Sequence, residues 1–405
     1  MWDVDAIRSD FPILQSTVYG RPLVYLDNSA TTHKPRPVLE ALQEYYTQMN
    51  SNVHRSAHYL SQMASDAYEE SRVILRDFIG ASSPREIVFT SGTTEAINLV
   101  AQCYCRPRLQ TGDNIVVSAM EHHSNLVPWQ MLCKSAGASL KVIPLKDDGS
   151  LDIAAGEKLI TGNTRMLALT AVSNVLGTIN RLERLIGVAH AHGAAVTIDG
   201  AQAVPHQRVD VQSLDCDFYA FSGHKLYADT GIGVLYGKKA KLEAMDPWQY
   251  GGGMVGNVDY ERTTFADPPY RFEAGTRHTA GAVSLAAAIR YLEQLGWDDL
   301  AGHEQRVLEY ALQRLSEDER ITVYGPAGHR HGVISFRLDG IQCFDAASIL
   351  DKMGIAVRSG HHCAEPLMKH LGIDGTVRAS LGCYNTREEV DVLVEGIERV
   401  RQMLA

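Results

Sequence analysis

Residues 219–237 read YAFSGHKLYADTGIGVLYG. An apolar run delivers Ser222-Gly223-His224-Lys225, and a glycine-rich turn leads into a second apolar run, GIGVLYG (231–237). A lysine in this setting loses solvation, which lowers its pKa and turns its amine into a Schiff-base candidate. Ser222 and His224 flank it with groups able to bind a phosphate. The plain alternative is a surface lysine in a hairpin loop. Most lysines are that, but few sit between apolar strands with SGH before them and TGIG after.

Outward from this hairpin, short apolar runs alternate with amphipathic stretches. EIVFT (86–90), NIVVSAM (114–120), SLKVIPL (139–145), RMLALTAVS (165–173), AAVTIDG (194–200) and CDFYAFS (216–222) read as strands. Residues 94–104 and 125–136 read as helices between them. This alternation predicts an α/β fold with a large, mostly parallel sheet covered by helices on both faces. After Ala280 the character changes. Residues 280–318 read as two long helices, ITVYG (321–325) and GVISFRL (332–338) as strands, and 344–353 as a helix. The strands IAVRS and TVRASLG and a last helix from Arg387 complete a smaller α+β unit. The expected division is an N-terminal segment (1–20), a large domain (21–290) and a small C-terminal domain (291–405).

The formal net charge of −10 argues against wholesale binding to nucleic acid or an anionic membrane. No apolar stretch approaches the roughly 18 residues of a membrane span. The start, MWDVDAIRSDF, lacks the basic-then-apolar pattern of a secretory signal. Seven cysteines without a CxxC pair suggest reduced thiols and a cytoplasmic location.

Two further strand ends carry chemistry. In FTSGTTEAIN (89–98) a strand gives way to a helix whose first amides suit a phosphate, although a capping box explains the stretch equally and is preferred on this stretch alone. In VTIDGAQAV (196–204) Asp199 stands at the carboxyl end of an apolar strand, where open α/β sheets place ligands. It either pairs with a cationic ring nitrogen or caps the next turn. Together the three segments fit pyridoxal 5′-phosphate, which needs an amine, an anion partner for its ring nitrogen and a phosphate cradle. Lys225, Asp199 and the Gly92–Thr94 turn would supply them.

RSGHHCAEP (358–366) puts Cys363 behind two histidines. Three consecutive side chains do not reach one tetrahedral ion, and no second cluster completes a metal site, so no metal is expected. A buried structural thiol is the default for Cys103, Cys105, Cys133, Cys216, Cys343 and Cys383. Cys363 instead lies in a polar loop beside Arg358, His361 and His362, where a cationic neighbour favours the reactive thiolate.

Nearly the whole chain resembles the cysteine desulfurases of the pyridoxal-phosphate fold-type I superfamily, and among them the group II, SufS-like type. The resemblance rests on YLDNSATTHKP (25–35), NVHRSAH (52–58), GTTEAINLVA (92–101), MEHHSNLVPW (120–129), SNVLGT (173–178), DGAQA (199–203), SGHK (222–225) and RSGHHCAEP. It implies that Lys225 forms the imine, Asp199 holds the ring nitrogen, Gln202 bonds the ring oxygen and His122 stacks on the ring. Thr93, Thr94, Ser222 and His224 would bind the phosphate, and Thr276 would reach the phosphate of a neighbouring subunit, implying a homodimer. Asn174, Arg358, Arg378 and His54 would contact the substrate. Catalysis would fall to Lys225, His122 and Cys363. The activity implied is conversion of L-cysteine to L-alanine, with a persulfide on Cys363 handed to a SufE-like acceptor for iron–sulfur cluster assembly. A selenocysteine lyase side activity goes with it. Competing readings keep the cofactor but change the reaction (sulfinate desulfinase, kynureninase-like lyase, aminotransferase), or keep only the fold in a non-catalytic sulfur-relay protein. Two stretches depart from the family pattern: Ala228-Asp229 replaces Gly-Pro, and Arg277-His278 replaces Pro-Asn.

Overall fold

The computed structural model describes residues 2–54 and 56–404. Arg55 of the NVHRSAH motif, and the terminal residues Met1 and Ala405 of the expected 1–20 and 291–405 units, lie outside the described residues. A seven-stranded sheet is built from β1 (Ile87–Thr90), β2 (Asn114–Ser118), β3 (Ser139–Ile143), β4 (Thr164–Thr170), β5 (Ala195–Asp199), β6 (Phe218–Ser222) and β7 (Gly233–Gly237). Its order is β1-β7-β6-β5-β4-β2-β3. β7 runs antiparallel to both neighbours and the other pairings are parallel. The inner strands are apolar throughout because both faces are covered, so alternate side chains enter different cores. Ile87, Phe89 and Phe221 pack on one face, and Val88, Ala220 and Leu235 on the other.

Gly233 fixes the join of the hairpin with the first strand. It pairs with both Thr90 and Ser222, and a Cβ there would stand 2.4 Å from the Cα of Gly92. The turn after β1 therefore lies directly on the start of β7. Upstream, α1 (Tyr59–Phe78) packs against the later helix α3 (Thr279–Leu295). The helix expected over 94–104 forms but changes pitch: α2 spans Thr93–Leu99, continues as a π-type turn over Val100–Cys105 and tightens into a 3-10 turn over Arg106–Arg108. Pro107 has no N–H to continue a helical ladder.

Gly296, in the left-handed region at φ +83°, joins α3 to α4 (Trp297–Ser316). Beyond them lies a four-stranded antiparallel sheet of β8 (Ile321–Tyr324), β9 (Val333–Leu338), β10 (Arg358–Gly360) and β11 (Thr376–Ser380), ordered β8-β9-β11-β10. The helices α5 (Cys343–Lys352) and α6 (Arg387–Leu404) pack against it. The run IAVRS, expected as one strand, divides between two sheets. Arg358–Gly360 joins β11, whereas Ile355–Ala356 pairs in parallel with Val24–Tyr25 from the other end of the chain. Val24 and Leu26 accordingly belong to the same core as Leu350, Ile355 and Val377.

Candidate active site

The carboxyl ends of β4, β5 and β6 open on one cavity, together with the turn before α2, the MEHHSN segment, and β10 and β11 of the small sheet. Its lining includes Thr93, Thr94, His122, Asn174, Asp199, Gln202, Ser222, His224, Lys225, Arg358, Cys363 and Arg378. Each is a residue that the sequence singled out. His54 and Thr276 are not brought there within one chain. His54 lies on an exposed loop at φ +60° with its ring 3.0 Å from Glu69, and Thr276 is exposed on the loop before α3.

Lys225 is half-buried in the cavity wall, and desolvation pulls its pKa from 10.5 down to about 8, against the opposing pull of Asp199. Asp199 is buried, and desolvation raises its pKa. One of its oxygens accepts the Ala201 N–H at 3.0 Å. The amine and the carboxylate feel one another's charge, yet no ion pair forms between them among the described residues. Acid and base facing across a gap are what a ligand with a cationic nitrogen at one end and a carbonyl at the other would join. The remaining donors agree with a phosphate and a ring. Ser222 Oγ accepts the Thr93 N–H at 2.9 Å and lies 2.7 Å from the Thr93 hydroxyl, so the two hydroxyls are held side by side. Thr94 Oγ1 lies 2.7 Å from Ser124 Oγ. His122 Nδ1 accepts the Ser124 N–H at 3.1 Å, which leaves the ring proton on Nε2. Burial lowers the His122 pKa to about 3, so this ring is neutral. The residues fit pyridoxal phosphate.

The profile of the class-V aminotransferase family matches residues 24–393. The chain is 52% identical over 404 residues to a cysteine desulfurase of Dickeya dadantii, covering all of this chain and 98% of that one. The chain belongs to this family, among its cysteine desulfurases. A crystal structure of the Escherichia coli cysteine desulfurase CsdA in an S-sulfonic acid form superposes at a TM-score of 0.93, with 41% identity and complete coverage of both chains. An apo cysteine desulfurase from Thermococcus onnurineus NA1 superposes equally well at 0.93, with 43% identity over 98% of each chain. This family's fold-type I architecture is the one built by the seven-stranded sheet.

In this family member the wall opposite Lys225 comes from the small sheet. Arg378 on β11 is buried. Its Nη1 donates to the Asn174 carbonyl at 3.0 Å and its Nη2 to Asp27 Oδ1 at 3.1 Å, while its Nε has no protein partner. Asp27 also receives Arg358 at 3.2 Å, so one carboxylate holds two guanidiniums at the rim. Cys363 lies on the loop after β10, exposed, with φ +56°. His362 before it has φ +53°. Two successive non-glycine residues in the left-handed region cost about 1–3 kcal/mol each, so the surrounding structure must hold them there. Asn174 Nδ2 donates to the His362 carbonyl at 2.8 Å, and the His123 N–H donates to the Cys363 carbonyl at 2.7 Å.

The other thiols contrast with Cys363. Cys103, Cys105, Cys133, Cys216 and Cys383 are buried, and desolvation raises the pKa of each. Cys343, expected among them, is half-buried instead, because it opens α5 beside Gly375.

Sequence reasoning missed one group. Glu121 is buried under the site, bonded to Ser118, Asn125 and the Thr170 N–H, and burial pushes its pKa up to about 8. Its place directly before His122 was the available signal. His362, expected as a cation beside Cys363, is instead a neutral ring, because burial lowers its pKa to about 3; it lines the cavity with Nε2 2.9 Å from Thr376 Oγ1 and Nδ1 unpartnered. The two departures from the family pattern meet in space. The Asp229 carboxylate lies 3.3 Å from His278 Nε2, and the Asp229 N–H, which a proline would lack, donates to Ser284 Oγ at 3.1 Å. Arg277 turns away from the cavity to Glu273 and the Gly253 carbonyl.

Proposed function

We propose that this chain takes the sulfur of L-cysteine onto Cys363, releases L-alanine and passes the sulfur to an acceptor protein for iron–sulfur cluster assembly. The observation that carries the reading is that an exposed thiol, a half-buried amine of lowered pKa and a buried carboxylate line one cavity. The cofactor is pyridoxal 5′-phosphate. Lys225 would hold it covalently, Asp199 would face its ring nitrogen, Gln202 its ring oxygen, and Thr93, Thr94, Ser222 and His224 its phosphate. When bound, it draws electrons from the substrate Cα and makes that carbon's proton acidic.

The residues then divide the work. Arg378, with Asn174 and Arg358 beside it, binds the substrate carboxylate, for which a guanidinium fork is suited. Lys225 is neutral above about pH 8 and takes the Cα proton. The Cys363 thiolate attacks the substrate sulfur. The carbon–sulfur bond breaks, its electron pair stays with the carbon fragment, and that fragment gains two protons, one at Cβ and one back at Cα, to become alanine. Lys225 returns the Cα proton it took, the substrate thiol's own proton balances Cβ, and the neutral His122 ring offers its Nε2 hydrogen as a hydrogen-bond donor to the substrate. Cys363 is left as a persulfide, and an acceptor thiolate removes the outer sulfur and restores it. No net redox change occurs. His54 and Thr276 are proposed to act across a homodimer, since both are exposed on the surface of one chain, and sedimentation should give twice the chain mass. The same chemistry would extend to selenocysteine. The division into units 21–290 and 291–405, and a cytoplasmic setting with a SufE-like acceptor, belong to this reading.

A Cys363→Ala variant tests it. With L-cysteine, release of alanine and sulfide should fall at least about a hundredfold, as for loss of a covalent nucleophile. The visible absorbance of the cofactor and its change on adding L-cysteine should persist. Undiminished alanine release would replace this reading with another reaction on the same cofactor.

A further inference from the structure

His123, the second histidine of MEHHSN, lies outside the roles above, and its ring stands 6.3 Å from that of His122. It is half-buried and touches the Cys363 turn at two points. Its main-chain N–H donates to the Cys363 carbonyl at 2.7 Å, and its Nε2 accepts the Glu365 N–H at 3.3 Å. Glu365 opens the short helix Glu365–Leu371, and the residue at its cap, Ala364, offers no side-chain acceptor. The first amides of a helix need a partner from elsewhere, and here a ring from another part of the chain provides it. The contact also fixes the tautomer. An accepting Nε2 leaves the proton on Nδ1, the reverse of His122. Adjacent histidines thus carry their ring protons on opposite nitrogens, and one lines the cavity while the other holds the turn.

We infer that His123 is a positioning residue for Cys363. It grips the turn at the Cys363 carbonyl and again two residues on at the Glu365 N–H, opposite the hold of Asn174 on the His362 carbonyl, and keeps the sulfur at the cavity mouth. This rests on the role proposed for Cys363, but the grip itself is readable without turnover.

The test uses the holoenzyme and three measurements. His123→Phe removes the ring acceptor and His123→Gln restores an acceptor oxygen. In His123→Phe, kcat should fall about tenfold or more, since small misplacements of a reacting group carry penalties of that size. KM should change less than twofold and the cofactor absorbance not at all. Alkylation of Cys363 by iodoacetamide, followed by peptide mass, should change several-fold in His123→Phe, and His123→Gln should recover both kcat and alkylation. In the unmodified enzyme the Glu365 amide should be protected from hydrogen exchange, a measurement that survives if His123→Phe does not fold. An unprotected Glu365 amide, unchanged alkylation in His123→Phe, or a His123→Gln variant as impaired as His123→Phe would each overturn the inference. If Cys363→Ala still releases alanine while alkylation and exchange behave as stated, the proposed reaction fails and the grip stands.

Discussion

Lys225 is held where folding disfavours its charge. Its pKa falls from 10.5 in the unfolded chain to about 8 in the fold. Between those values the unfolded chain binds the proton more tightly, so the cofactor-free protein should gain stability as pH rises from 8 to 10.5. Below pH 8 the full penalty applies. Lys225→Met, stripped of cofactor, should therefore be more stable than the parent by up to about 3 kcal/mol at pH 7, with the gain vanishing above pH 10.5. Urea unfolding at the two pH values measures it. Lys225 and Asp199 were legible in the sequence because each ends an apolar strand and so marks its own position. Glu121 was not, because its meaning comes from Thr170, far away in sequence, and the charge expected of His362 failed because its burial is set by the fold and not by its neighbours in the motif.

At the scale of elements, the strands of the large sheet were legible almost residue for residue, since strands buried on both faces stand out as continuous apolar runs. The failures lie where a local pattern is cut by a distant partner. IAVRS is apolar enough for one strand, but Val24–Tyr25 claims its first half. The helix after β1 runs its expected length but changes pitch at Val100, which no hydrophobic periodicity reveals. Glycine spacing was read as a turn signal, and its deeper reason is contact between β7 and the turn before α2. Gly233→Ala should force those two apart. A loss of about 1–3 kcal/mol is expected from overpacking, together with weaker retention of the cofactor phosphate. Fluorescence of the released cofactor on dilution, alongside a melting curve, measures both.

Across the whole molecule, one buried carboxylate ties distant parts together. Glu273, just before the Thr276 loop, receives Arg72 through both oxygens at 2.7 and 3.1 Å, the Tyr68 hydroxyl at 3.0 Å and the Phe89 N–H at 2.9 Å. It thereby joins α1, β1 and the loop leading to α3. Glu273→Gln leaves the buried Arg72 with only the half-exposed Glu69 at 3.1 Å and takes the partner from Arg277, which should cost about 3–5 kcal/mol in urea unfolding. An Arg72→Met, Glu273→Met double variant should recover much of that loss.

The pairing of Val24–Tyr25 with Ile355–Ala356 has a consequence for biosynthesis. The ribosome releases the first of these strands more than three hundred residues ahead of the second. Until the later strand emerges, Val24 and Leu26 have no core to enter, while the sheet that bears Lys225 is already complete in sequence. A stalled chain would therefore carry the amine without the thiol, and the sulfur-handling half would be assembled last.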